Sequence, residues 1–146
     1  MSNQTVKALN EVTETMIDSY KGYEKCLEIS QDSYGLRQNF QARAQERGQL
    51  INELQGEVRQ LGGEPVVEGS ITGKLHRSFT KFSSFFQDDE KAAVSAIDDG
   101  EEYLAEKIEN CLESNNFSAS TQSVLQRAHA SAKAGERFAD MIEGRM

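Results

Sequence analysis

The sequence predicts an all-α four-helix bundle of ferritin-like topology, and three observations carry that reading. The 146 residues include one proline and no tryptophan, and Ala, Glu, Gln, Leu, Lys and Arg abound, the residues that long helices favour and strands do not. Apolar side chains recur in alternating steps of three and four along four long segments. Between the second and third segments lie about 27 residues, enough for one long helical crossover joining two helical hairpins, as in ferritin-like connectivity. A chain of this size buries one elongated core, so residues 1–146 are expected to form a single domain.

The first helix, over about residues 3–29, is carried by Leu9, Thr13, Met16, Tyr20, Tyr23 and Leu27, which share one stripe. Ser30-Gln31-Asp32-Ser33 breaks it and offers N-capping oxygens. The second helix follows with Leu36, Phe40, Ala44, Arg47, Ile51, Leu54, Val58 and Leu61, and Gly62-Gly63 is a glycine stop. The short connection makes these two helices antiparallel neighbours. In the crossover, Ile71, Leu75, Phe79, Phe82 and Phe86 form an amphipathic stripe that predicts a short helix beginning near Ser70. At 1.5 Å per residue, roughly fifteen helical residues travel some 22 Å, so the second and third helices can run parallel. Asp88-Asp89 caps a third helix with the stripe Ala93, Ile97, Gly100, Leu104, Ile108 and Cys111. Ser118 caps a fourth with Leu125, Ala128, Ala132, Gly135, Phe138 and Ile142.

Composition narrows the partners. A net charge of -8, from 24 acidic and 16 basic side chains, repels polyphosphate and lacks a clustered basic footprint, which argues against nucleic acid. No apolar run approaches the roughly 18 to 20 residues that cross a bilayer, and no signal-type apolar stretch follows the polar start, so a soluble, cytoplasmic protein is expected. Cys26 and Cys111 have neither metal-type nor redox-type spacing and read as reduced core or boundary residues.

Several short stretches look familiar once the elements are placed: Asp18-Ser19-Tyr20-Lys21-Gly22-Tyr23, Glu53-Leu54, Leu61-Gly62-Gly63-Glu64-Pro65, Gly69-Ser70, Leu75-His76-Arg77 and Asp99-Gly100-Glu101-Glu102. Together they resemble a bacterial family of ferritin-like four-helix-bundle domains of unknown function. The resemblance spans nearly the whole chain and implies the fold, while no activity comes with it. Ferritin-like proteins as a class often hold two metals through a Glu on each of two helices and a Glu-x-x-His pair on each of the others. Here Glu46 is followed three residues on by Gln49, and His129 is preceded three residues earlier by Gln126, so both pairs are incomplete.

Hairpin turns centred near residues 32 and 117 set a register. It brings Gly100 level with Gly135, where two glycines allow close helix approach or leave room for a ligand. It also collects Asp18, Arg43, Glu46, Arg47, Asp99, Glu102, Lys133 and Glu136 near mid-bundle. Arg47 lies on an apolar stripe, and Asp18 and Glu102 stand beside stripes. Such a band is either a set of paired, hydrogen-bonded charges or a cation site. In the second case Asp18, Glu46, Glu102 and Glu136, one from each helix, are the oxygen ligands for a divalent metal such as iron.

His76 and His129 are the two histidines, each without a ligand partner at suitable spacing, and both read as surface or boundary residues. No nucleophile, phosphate loop or catalytic triad is legible, which leans away from an enzyme and names no catalytic or cofactor-binding residue. Phe79, Phe82, Phe85 and Phe86 cover more than one face of the crossover helix. They either pack on the bundle or form an interface for a homo-oligomer or protein partner, with Phe79, Phe82 and Phe86 as candidates. The expected function is therefore a non-catalytic structural or interaction bundle, and the alternative is a degenerate ferritin-like protein binding a divalent metal in its core. Basic side chains directed into the polar band favour the first, and carboxylates converging without them favour the second.

Overall fold

The computed structural model describes residues 2–29, 34–68 and 90–145. Four helices make up most of them: α1 (Ser2–Ile29), α2 (Tyr34–Gln60), α3 (Glu90–Ser114) and α4 (Ala119–Arg145). The expected crossover helix, with Ile71, Leu75, His76, Phe79, Phe82, Phe85 and Phe86, lies outside the described residues, as does the break at 30–33.

The Gly62 stop and the Ser118 cap act as read, while the Asp88-Asp89 cap lies outside the described residues. Gly62 has φ +83°, a conformation that costs glycine nothing, and it closes α2 in a Schellman motif. Its N–H donates to the Arg59 carbonyl at 3.0 Å and the Gly63 N–H to the Val58 carbonyl at 3.0 Å. Gly63 must also lack a Cβ for a second reason, because one placed there would lie 2.6 Å from Val6 Cγ1. At the start of α4, the Ser118 hydroxyl accepts the Thr121 N–H at 3.3 Å, a serine N-cap on the third helical residue.

Helix α1 packs on α2 and α3, and α4 packs on the same two, so α1 faces α4 and α2 faces α3 across the bundle diagonals. Contacts fix the directions. Tyr20 lies beside Gly48, and Asn10 reaches Glu64 beyond the end of α2. Tyr23 meets Glu101, while Ala8 and Asn115 line one groove. Glu57 meets Thr121, while Phe40 meets Phe138. His129 meets Glu109. Every adjacent pair is thus antiparallel and both diagonals are parallel, which places Gln60 and Glu90 at opposite ends, as expected for two hairpins joined by one crossover. Among the described residues no helix is long and apolar enough to cross a membrane.

The core divides in two. Toward the end that holds the α3–α4 turn, Leu9, Val12, Met16, Leu54, Val58, Leu104, Ile108 and Leu125 are buried in a large aliphatic cluster. Toward the other end, Tyr23, Phe40, Val94, Ile97 and Phe138 pack with Cys26, Ala44, Ala93, Ala96 and Ala139. The Phe40 and Phe138 rings meet edge to face at 5.8 Å and 86°, a geometry that adds about 1 kcal/mol to burial. These stripes are the ones read from the spacing. Cys26 and Cys111 are both buried and outside any disulfide, one in each cluster.

A buried charged layer as the candidate functional site

Between the two clusters sits a polar layer centred on Arg47. Its place on the α2 stripe, three positions from Ala44 and four from Ile51, sends the side chain inward, where it is only 1% exposed. Glu101, also 1% exposed, meets it from α3 across the bundle diagonal. The pair is bidentate: Arg47 Nη1 donates to Glu101 Oε1 at 2.8 Å and Nη2 to Oε2 at 2.7 Å. Arg47 Nη1 also donates to Ser19 Oγ at 2.6 Å, and Nη2 to Ser131 Oγ at 3.2 Å. The Tyr23 hydroxyl donates to Glu101 Oε2 at 2.7 Å. All four helices therefore contribute to the layer. Arg47 Nε is the one atom of the guanidinium left without a partner.

The electrostatics follow from this packing. Burial works against the Arg47 charge, but the negative charge and hydrogen bonds of Glu101 outweigh it and raise the guanidinium above its ordinary pKa. Burial, and then the Glu101 charge, push the Tyr23 phenol far above its usual range. Tyr23 is therefore a fixed hydrogen-bond donor and neither an acid nor a base.

Gly135 completes the layer. A Cβ there would fall onto Glu101 Oε2 and within 2.6 Å of the Tyr23 hydroxyl. Gly100 has open space at the same position, so the expected pairing of Gly100 with Gly135 is corrected. The register is right, but the residue that faces Gly135 is Glu101, and the room the glycine leaves is filled by a carboxylate and a phenol.

The four carboxylates expected from the sequence are not brought together. Asp18 is buried. Glu46 is exposed and accepts the Ser131 hydroxyl at 2.6 Å, which ties it to the outer edge of the layer. Glu102 is exposed, because the position after Glu101 is turned about 100° away from the core. Glu136 is half-buried and takes Lys133 Nζ at 3.0 Å. The guanidinium of Arg47 stands where carboxylates from four helices would have had to converge. His129 is a boundary residue, its Nε2 2.7 Å from Glu109 Oε2. A groove of about 430 Å³ between α2 and α4 reaches the layer at Glu46 and Ser131, and Arg127 bridges it to Glu53 at 2.6 and 3.0 Å.

A different carboxylate group does converge. Asp98 of α3 and Asp140 and Glu143 of α4 bring oxygens within 4.8 Å of one another, the one such trio among the described residues. Burial, and then hydrogen bonds with Asp140 and Glu143, push the Asp98 carboxyl up to about 8. The sequence held part of a signal for this trio. Asp140 and Glu143 are one helical turn apart, but the register that sets Gly100 level with Gly135 puts Asp98 level with Arg137, about one turn short of Asp140.

Fold and layer together define an all-α four-helix bundle with a hydrogen-bonded ion pair buried at mid-height. The chain belongs to the family described as a domain of unknown function, DUF2383, whose model matches residues 4–114. No curated protein and no solved structure matches it. The matched span covers α1, α2 and the whole of α3, so α4, which supplies Ser131 and Gly135, lies beyond it.

Proposed function

We propose that this is a non-catalytic helical-bundle protein that acts as a structural or interaction module, by self-association or by binding another protein. We further propose that its topology is ferritin-like, that its origin is bacterial and that it works in the cytoplasm. The observation that carries the functional reading is the Arg47–Glu101 layer. A guanidinium held by two carboxylate bonds, two serines and a neighbouring tyrosine donor uses the mid-bundle position for a neutral, nearly satisfied network. Such a network sets helix register and offers no reacting group, because Arg cannot release its proton and Tyr23 is held protonated. The buried thiols of Cys26 and Cys111, neither in a disulfide, support a reducing compartment.

The alternative, a divalent metal such as iron bound through the mid-bundle carboxylates, is separated by one pair of measurements. Metal content of protein purified without chelator is determined together with Fe(II) and Zn(II) titration of the wild type and of the Glu46→Ala, Glu102→Ala double variant. Sedimentation of the same samples gives the oligomeric state. The proposal expects no saturable uptake that depends on Glu46 and Glu102, and a defined self-associated species or a stoichiometric protein complex. Near-stoichiometric metal lost in the double variant would overturn it.

A further inference from the structure

The two ends of the bundle are held in opposite ways. At the end with the α3–α4 turn, the segment after α2 is fastened to both helices of the first hairpin. Asn10 Nδ2 donates to the Glu64 carbonyl at 3.0 Å, Asn10 Oδ1 accepts the Val66 N–H at 3.1 Å, and Gln55 Nε2 donates to the Val66 carbonyl at 2.9 Å. On the other face of α2, Glu57 accepts the hydroxyls of Thr121 at 2.6 Å and Ser120 at 3.0 Å, which ties the start of α4 to α2. The core behind these ties is the large aliphatic cluster.

At the opposite end the cluster, among the described residues, is smaller and half built of alanine and cysteine. Its outer seam between α3 and α4 is closed by the Asp98, Asp140 and Glu143 trio. Glu143 Oε1 is buried and meets no donor. Among the described residues, the charged groups on the packed elements are exposed or engaged elsewhere. On α1, Lys25 is paired with Glu28 at 3.2 Å and Glu24 is exposed. On α2, Arg43 lies over the Phe138 ring at 4.7 Å and Arg37 donates to the Leu27 carbonyl. On α4, Arg137 is exposed. Asp98 is hydrogen-bonded to Asp140 and Glu143, and a carboxyl that bonds to two other carboxyl groups does so through its own proton. Between the two ends the Arg47–Glu101 layer interrupts the apolar packing, and Tyr20 packs against both clusters.

We propose that the half of the bundle beyond the Arg47–Glu101 layer opens as a separate unit under proton control. The proton on Asp98, bonded to Asp140 and Glu143, holds α3 to α4 there, and its loss lets that half part while the other half stays folded. Local opening in contiguous units is a general property of packed domains, and the unit whose described core is smaller opens first. The direction follows from linkage. The Asp98 carboxyl, at about 8 in the folded protein against 3.8 ordinarily, binds a proton that the opened form releases. The stabilisation is complete below about pH 4 and fades as pH rises through about 8. Opening exposes Phe40, Ile97 and Phe138, an apolar face absent from the closed surface.

The test is amide hydrogen exchange by mass spectrometry on the full chain, at pH 6.5 and pH 9, in EDTA, with intrinsic rates corrected. Peptides from 93–101 and 134–144 are expected to lose at least tenfold in protection at the higher pH, while those from 104–112 and 121–131 keep theirs. Asp98→Asn and, separately, Glu143→Gln should remove most of that dependence. Protection that ignores pH, or falls equally in both halves, would overturn the proposal. So would the wild-type profile persisting in either variant, or protection at pH 6.5 that EDTA abolishes, which would make a cation and not a proton the closing agent.

Discussion

Replacing Glu101 by Gln removes one charge and almost no volume, and the structure sets the size of the effect. Both partners of the pair are 1% exposed and joined by bonds of 2.7 and 2.8 Å. Glutamine can still accept one Arg47 bond and the Tyr23 hydroxyl, but the guanidinium charge is then hydrogen-bonded only to neutral groups. Breaking a buried pair from one side costs about 3–5 kcal/mol, since the orphaned charge keeps its desolvation penalty. For a chain of this length that corresponds to a fall in melting temperature on the order of 10 °C. Removing both charges is a different perturbation. In the triple variant Arg47→Met, Glu101→Leu, Tyr23→Phe no charge or phenol is stranded, Ser19 keeps the Met16 carbonyl at 2.7 Å and Ser131 keeps Glu46. Such a swap is expected to fall between neutral and about 4 kcal/mol more stable. Urea unfolding followed by far-UV circular dichroism, with the m-value checked for constancy, measures both. A cost under about 1 kcal/mol for Glu101→Gln, or a triple variant worse than the single one, would refute a buried pair at mid-bundle. A triple variant that is stable but polydisperse would show that the layer specifies register.

Further expectations rest on single contacts. Gly135→Ala should cost about 1–3 kcal/mol by forcing Glu101 and Tyr23 aside, whereas Gly100→Ala, facing open space, should be neutral or stabilise by up to about 1 kcal/mol; thermal melts of the two variants give the contrast. Glu57→Ala strands the Thr121 hydroxyl and unties α4 from α2, with a loss of about 2 kcal/mol in urea unfolding. Cys111, pushed up to about 11 by burial and then by the charge of Glu11, should resist thiol reagents at pH 8 in the folded state and react at once in denaturant. Equal labelling rates in the two conditions would contradict its burial.

The residues show where sequence reading stops. Leu9, Met16, Phe40, Leu54, Leu104 and Leu125 are core residues because a period of three and four puts them on one stripe, and that period is visible in one dimension. The Gly62 stop and the Ser118 cap are equally local, since each acts within five residues of chain. Arg47 stood out because a charge on an apolar stripe breaks the pattern. No partner was named for it: Glu102 was counted in the polar band and Glu101 was not. Yet Glu101, four residues after Ile97 and three before Leu104, lies on the α3 stripe, so its inward turn was legible while its pairing with Arg47 was not. Ser19 and Ser131 carried no signal, because a serine near a stripe is ordinary until a guanidinium is found against it.

The sequence by itself determined four helices, their stripes, their stops and the hairpin register, all set by interactions between near neighbours and by the demand that apolar faces be buried. Tertiary structure alone decided what happens in the polar band. Helix rotation and diagonal distance select which charged side chains meet, and those degrees of freedom leave no periodic trace. Arg47 and Glu101 pair because a buried guanidinium needs a carboxylate against it, while Glu102 faces outward, Glu136 is half-buried against Lys133, and Asp98, Asp140 and Glu143 converge elsewhere.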